Sequence, residues 1–82
     1  MDIFVYFSLS EEIYLGELED TIDDLLGDNG EVTGSGIGIN GGNIDIEIYD
    51  KTVLDILIEE LRKQNLPSDT YLVIDGNRKD LY

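Results

Sequence analysis

The chain has no cysteine and no histidine, a single proline, and only five lysine or arginine residues among 82. Without cysteine there is no disulfide framework, and without cysteine or histidine the common zinc sites are excluded, so stability rests on packing. Catalysis is left with Ser, Thr, Tyr, Lys51 and carboxylates. A carboxylate pair such as Asp45 and Glu47 would need a pocket that an open sheet seldom supplies, so the chain reads as a non-enzyme with no catalytic residue and no cofactor. Long apolar runs are missing too. The opening Met-Asp-Ile-Phe-Val-Tyr-Phe-Ser has no basic leader and is too short for a signal peptide or membrane span, which points to the cytoplasm and away from membranes.

The most unequal absence is that of positive charge. Residues 1 to 50 hold thirteen of the nineteen acids and no base, whereas all five bases lie in residues 51 to 82 beside the other six acids. A field this one-sided repels nucleic acid and anionic membrane and attracts a basic macromolecule. The chain is 41% hydrophobic, too apolar for a disordered acidic tail, and its length suits one domain, residues 1–82, with a thin core.

Along the chain, Ile3 to Leu9 alternates apolar and mixed positions and predicts a strand. Ser8 with Glu11 three residues later forms a capping-box pattern for a helix start, and Ser10 is a second candidate. Leu15, Leu18, Ile22, Leu25 and Leu26 then recur at helical spacing, with Glu12, Glu17, Asp20, Asp23 and Asp24 among the acids outside that stripe. Gly27 and Asp28-Asn29-Gly30 end the helix. Glu31 to Ile39 and Ile44 to Tyr49 read as a hairpin around Asn40-Gly41-Gly42-Asn43. With Gly41-Gly42 at its tip, Ile39 pairs with Ile44, Ile37 with Ile46 and Ser35 with Ile48. Asp50 or Thr52 can cap a second helix that turns Val53, Leu54, Leu57, Ile58 and Leu61 inward, closed by Asn65, Leu66 and Pro67. Thr70 to Asp75 is a last strand, followed by a short basic tail at Arg78 and Lys79. The order predicts an α+β, ferredoxin-like βαββαβ two-layer sandwich, with two helices on one face of a four-stranded antiparallel sheet.

On such a sheet the open face carries Phe4, Tyr6, Gly34, Gly36, Gly38, Asp45, Glu47, Tyr49 and, in one register, Tyr71. RNA-recognition modules stack bases on comparable aromatics, but they need Lys and Arg that this half of the chain lacks. Tyr6 and Tyr49 are instead expected to cover the bare backbone of the glycines, or to enter a homodimer through this face. Residues 36 to 41 match the letters of the G-x-G-x-x-G dinucleotide fingerprint, yet a strand follows where a helix is required, with Asp45 and Glu47 near where phosphates would sit. Asp23, Asp24, Asp28 and Glu31 do not fit the spacing of a calcium loop. The first helix pairs Asp20 with Asp24 at i, i+4 and has no base to relieve them, a cost that suggests use by a partner. The candidate partner-binding residues are therefore either Glu12, Glu17, Asp20, Asp23 and Asp24 on the helix or Tyr6, Asp45, Glu47 and Tyr49 on the open sheet face.

The stretch from Glu31 to Ile48, with its glycine-rich hairpin running into Asn-Ile-Asp-Ile-Glu, resembles a group of small, mostly uncharacterised bacterial proteins. The resemblance spans nearly the whole chain and carries no catalytic or binding residue. In size, charge and expected fold the chain is also similar to bacterial immunity proteins. That similarity of class implies a non-enzymatic inhibitor covering the active site of a basic toxin, or another basic protein.

Overall fold

The computed structural model describes residues 1–9 and 14–82. Two helices, α1 (Leu15–Leu26) and α2 (Leu54–Lys63), cover one face of a five-stranded antiparallel sheet. The strands are β1 (Asp2–Phe7), β2 (Gly30–Gly38), β3 (Gly41–Ile48), β4 (Tyr71–Ile74) and β5 (Asn77–Asp80), in the spatial order β2-β3-β1-β4-β5. The architecture is the expected two-layer α+β sandwich, with five strands where the sequence pattern predicts four. The supposed basic tail is the fifth. Asp75 and Gly76 both take positive φ, 47° and 86°, and so turn the chain tightly enough for Ile74 to pair with Asn77.

Strand alternation puts Ile3, Val5 and Phe7 of β1 and Ile44, Ile46 and Ile48 of β3 on one face, all of them buried. Onto it α1 lays Leu18, Ile22 and Leu26, and α2 lays Leu57, Ile58 and Leu61. Each such side chain contributes about 1.5–3 kcal/mol through burial. Leu81, beyond β5, is fully buried as well. Its carbonyl accepts from Arg62 Nε at 2.7 Å, and the Tyr82 hydroxyl donates to Leu66 O at 2.8 Å, so the end of the chain is fastened beside α2.

The first helix begins later than either capping pattern suggests. Its N-cap is Tyr14, extended and without a side-chain cap bond. Ser8 instead donates to Asp69 Oδ1 at 2.9 Å, and Ser10 and Glu11 lie outside the described residues. The helix ends at Gly27 as expected, but with φ +53° and ψ −124°, a positive-φ conformation open to glycine that is not the left-handed helical one. Neither Asp50 nor Thr52 caps α2 itself, whose N-cap is Val53 without a side-chain cap bond; Asp50 caps the turn before it. Its carboxylate accepts from the Thr52 N–H at 3.0 Å and the Thr52 hydroxyl at 2.8 Å, holding a 3₁₀ turn at Lys51–Val53 that runs into the helix.

The hairpin differs from expectation in register. Gly38 pairs with Gly41, Ile37 with Gly42, Gly36 with Asn43 and Ser35 with Ile44, so the turn is Ile39-Asn40 and both glycines belong to β3. Phe7 accounts for the shift. It pairs with Gly42, its carbonyl lies where a Gly41 Cβ would be, and its ring occupies the space of a Gly42 Cβ. Close approach of β1 thus draws the glycines into the ladder. The four-residue shift preserves parity, so Ile37 stays on the helix side of the sheet but runs past the helices. It is 59% exposed, and Ile39 at the turn is fully exposed. A bulge between Val32 and Gly34 adjusts β2 to this register.

Candidate functional site

The acids selected from the sequence form two sets on opposite sides of β2. Glu17, Asp20, Asp23 and Asp24 are exposed on α1, which packs over β2 on the helix side. Glu12 lies outside the described residues. One of the set has structural work: Asp23 Oδ1 accepts the Val32 N–H at 2.9 Å and ties α1 to β2. Glu17, Asp20 and Asp24 have no cation within ion-pair distance among the described residues. Arg78 and Asp80, at 3.2 Å and both well exposed, make the single ion pair among the described residues.

The second set lies on the open face. Asp45 and Glu47 of β3 are half-buried there, with Asp45 opposite Gly34 and Glu47 opposite Glu31. Like charges facing each other across a ladder destabilise it, so the Glu31–Glu47 pair costs stability. Tyr49, just past β3 and exposed, has its phenol held above the ordinary 10.0 by hydrogen bonding to Glu31, then by desolvation and by the negative charges of Glu31 and Glu47. Asp45 Oδ1 accepts from Asn43 Nδ2 at 3.0 Å, while its Oδ2 leans to within 3.4 Å of where a Gly34 Cβ would stand. Glycine at this position leaves the carboxylate uncovered from the side of β2.

The aromatics do not cover the glycines. Tyr6 lies on the other side of β3 and stacks on Tyr71, with ring centroids 5.2 Å apart and planes inclined by 27°. Arg78 sits over the Tyr71 ring at 4.0 Å from its centroid. This Tyr6–Tyr71–Arg78 stack is a cation–π arrangement built by β5, and its arginine comes from the segment whose strand character the sequence reading missed. Phe4, between Asp45 and Val73 across the ladders, is the most central exposed apolar side chain of the open face.

A shallow cleft of about 280 Å³ opens beyond the stack, lined by Tyr6, Ser8, Asn40, Asp69 and Tyr71 among others. The Ser8–Asp69 hydrogen bond in its wall joins the end of β1 to the segment before β4. Asp69 and Asn43 escape a sequence search because neither stands in a motif. Among the described residues no group of three or more acids is arranged to hold a metal ion, and no helix is long and apolar enough to cross a membrane.

No protein-family model matches the chain, and searches of curated proteins and of solved structures likewise returned no significant match.

Proposed function

We propose that this chain is a non-enzymatic, acidic protein-binding module whose partner is a basic protein, with an immunity-type inhibitor of a basic toxin as the class it fits best. One observation carries the reading: the carboxylates of α1 and of the β2–β3 hairpin have no cationic neighbour within ion-pair distance among the described residues. A solvated protein surface usually intersperses both signs, because like charges close together cost stability. Retaining so many unrelieved acids around one strand favours an external partner that supplies the missing charge. Such complementarity accelerates association and makes it salt sensitive. The partner-binding residues in this reading are Glu12, Glu17, Asp20, Asp23 and Asp24 together with Tyr6, Asp45, Glu47 and Tyr49. Asp23 serves the fold as well.

The fold reading that accompanies it is a ferredoxin-like β1-α1-β2-β3-α2-β4 unit with β5 appended at the edge of β4. The order β2-β3-β1-β4, antiparallel throughout, supports it.

The test is capture with tagged protein from lysate of the source organism, washed at low and at high salt. A basic protein retained in near-equal amount and released by salt is expected. The double variant Asp20→Lys, Asp24→Lys is expected to stay folded and to lose that protein; unchanged retention would reject α1 as the surface. An alternative is a self-associating module that buries the open face in a homodimer, favoured by the exposure of Phe4 beside Val73. It requires Asp45 and Glu47 to enter an interface with their own copies, and strict monomer behaviour at high protein concentration in moderate salt would exclude it.

A further inference from the structure

Backbone hydrogen bonding locates where β2 is incomplete. Met1 and Ile48 exchange both of their backbone bonds, Met1 N to Ile48 O and Ile48 N to Met1 O, each at 2.9 Å. Antiparallel ladders alternate, so Ile48, Ile46, Ile44 and Gly42 of β3 turn their backbone groups to β1, while Asp45 and Asn43 turn theirs to β2. Gly34 and Gly36 are the partners of those two residues, and Ser35 and Ile37 therefore point their N–H and C=O groups away from the sheet. The same alternation turns the Val32 N–H outward, and there Asp23 accepts it. The first half of this edge is thus closed by a carboxylate and a bulge, and the second half is not.

Natural sheets protect an exposed edge with lysines, proline or a covering element. Ser35 to Gly38 has no base and no proline, and its side chains are small or apolar. Its two sides are unlike. On the helix side Ile37 stands 59% exposed past the end of the helical cover, with Ile39 fully exposed at the turn. On the open side Gly34 and Gly36 carry nothing, and Asp45 leans over Gly34 from the next strand. A strand added beyond β2 would lie two ladder spacings from β3, roughly 10 Å. Across bare glycines, a long basic side chain on that strand and the leaning carboxylate can meet. The acids of α1 flank the same edge from the other layer.

We infer that the Ser35–Gly38 edge of β2 is a docking site for an extended segment of a basic partner, which joins the sheet as a sixth strand. Its Lys or Arg residues alternate with apolar ones, the bases crossing Gly34 and Gly36 toward Asp45 and the apolar side chains resting on Ile37. This deepens the acidic-module reading and rests on it, naming the mode of binding and the pattern of the ligand. A second copy of the chain is the weaker occupant: β5 offers Arg78 and Lys79, but each copy also brings a net charge of −14 to the contact.

The probe is a capped peptide of about eight residues alternating lysine and valine, compared with an isomer that has its lysines in one block and its valines in another. Amide NMR at low salt is expected to show the Ser35 and Ile37 N–H groups shifted and protected from exchange by the alternating peptide only. Ser35→Pro removes an outward N–H without breaking a bond to β3, and is expected to weaken binding about tenfold. Ile37→Lys, at an exposed side chain, is a second edge variant independent of proline geometry and is expected to weaken it similarly. Asp45→Asn is expected to reduce both affinity and salt dependence. Equal, salt-sensitive binding of both peptides, with shifts confined to α1 and indifferent to Ser35→Pro and Ile37→Lys, would overturn the edge site and leave the acidic module standing. Absence of binding by either peptide at low salt would overturn both. Concentration-dependent association of the protein alone, abolished by Ser35→Pro, would assign the edge to a second copy and overturn the foreign ligand.

Discussion

Gly42→Ala is expected to destabilise the protein, and the structure names the atoms responsible. A Cβ at residue 42 would stand 2.5 Å from Phe7 Cε2 and 2.7 Å from Cζ, with Cδ2 next at 3.3 Å. Separations under 3.0 Å force something to move, and both Phe7 and Gly42 are buried in the ladder that joins β1 to β3. Overpacking of this kind costs about 1–3 kcal/mol, while alanine in place of glycine returns about 0.4–1 kcal/mol by restricting the unfolded chain. The net loss is then roughly 1–2 kcal/mol, or about 4–16 °C in Tm for a domain of this size. Leucine has no atom beyond Cδ, so Phe7→Leu removes the two nearest atoms. In that background Gly42→Ala is expected to be neutral or slightly stabilising, and the two sites should show a coupling of about 1–2 kcal/mol. Urea unfolding of the wild type, both single variants and the double variant measures it. An equal cost of Gly42→Ala with Phe or Leu at residue 7 would refute the close-approach account of the hairpin register.

Gly16, in the first turn of α1, has open space around its Cβ position, so Gly16→Ala is expected to raise stability by up to about 1 kcal/mol in thermal unfolding. The backbone and side-chain hydrogen bonds from Thr52 hold the Asp50 carboxyl below its ordinary 3.8. A depressed carboxyl contributes stability that is present above the unfolded value and lost as pH falls through the folded one. The Tm gap between wild type and Asp50→Ala is therefore expected at neutral pH and should close below about 3.8. A gap that persists at lower pH would dismiss the carboxylate as its source. Tyr49 has the opposite sign: its raised phenol contributes below 10.0 and loses that contribution as pH rises through the folded value, so alkaline melts of Tyr49→Phe and wild type should converge.

The helices were legible because burial imposes a period on them. Leu18, Ile22 and Leu26, and Leu57, Ile58 and Leu61, stand at the spacing that one apolar stripe requires, and all are buried. The hairpin was legible only to parity. Ile37, Ile44, Ile46 and Ile48 keep to one side while Ile39 falls in the turn, whose position depends on Phe7, more than thirty residues away in sequence, which no local pattern near Gly41 discloses. β5 escaped because Asn77 to Asp80 is polar throughout and exposed, with no alternation to reveal a strand. The Asp75-Gly76 dipeptide was the available signal, a hairpin turn by its chemistry. Of the candidate site, the acids among the described residues and Tyr6 lie on the expected layers. The stacking of Tyr6 on Tyr71 under Arg78 needed the missed strand, and the vacant edge of β2 needed the register.

The strand order has a further consequence for how the molecule comes into being. β1 is made before any of its neighbours, yet it occupies the middle of the sheet, between β3 and β4. Its second flank cannot be satisfied until Tyr71–Ile74 has left the ribosome, and the core is not sealed until Leu81 follows. Contacts so distant in sequence cannot form until synthesis, at about 5–20 residues per second, has delivered both partners, and an unpaired apolar strand waiting in solution invites aggregation. The acidic stretch that follows β1 emerges during that wait. Mutual repulsion between nascent chains would then protect Ile3, Val5 and Phe7 while their partners are still being synthesised.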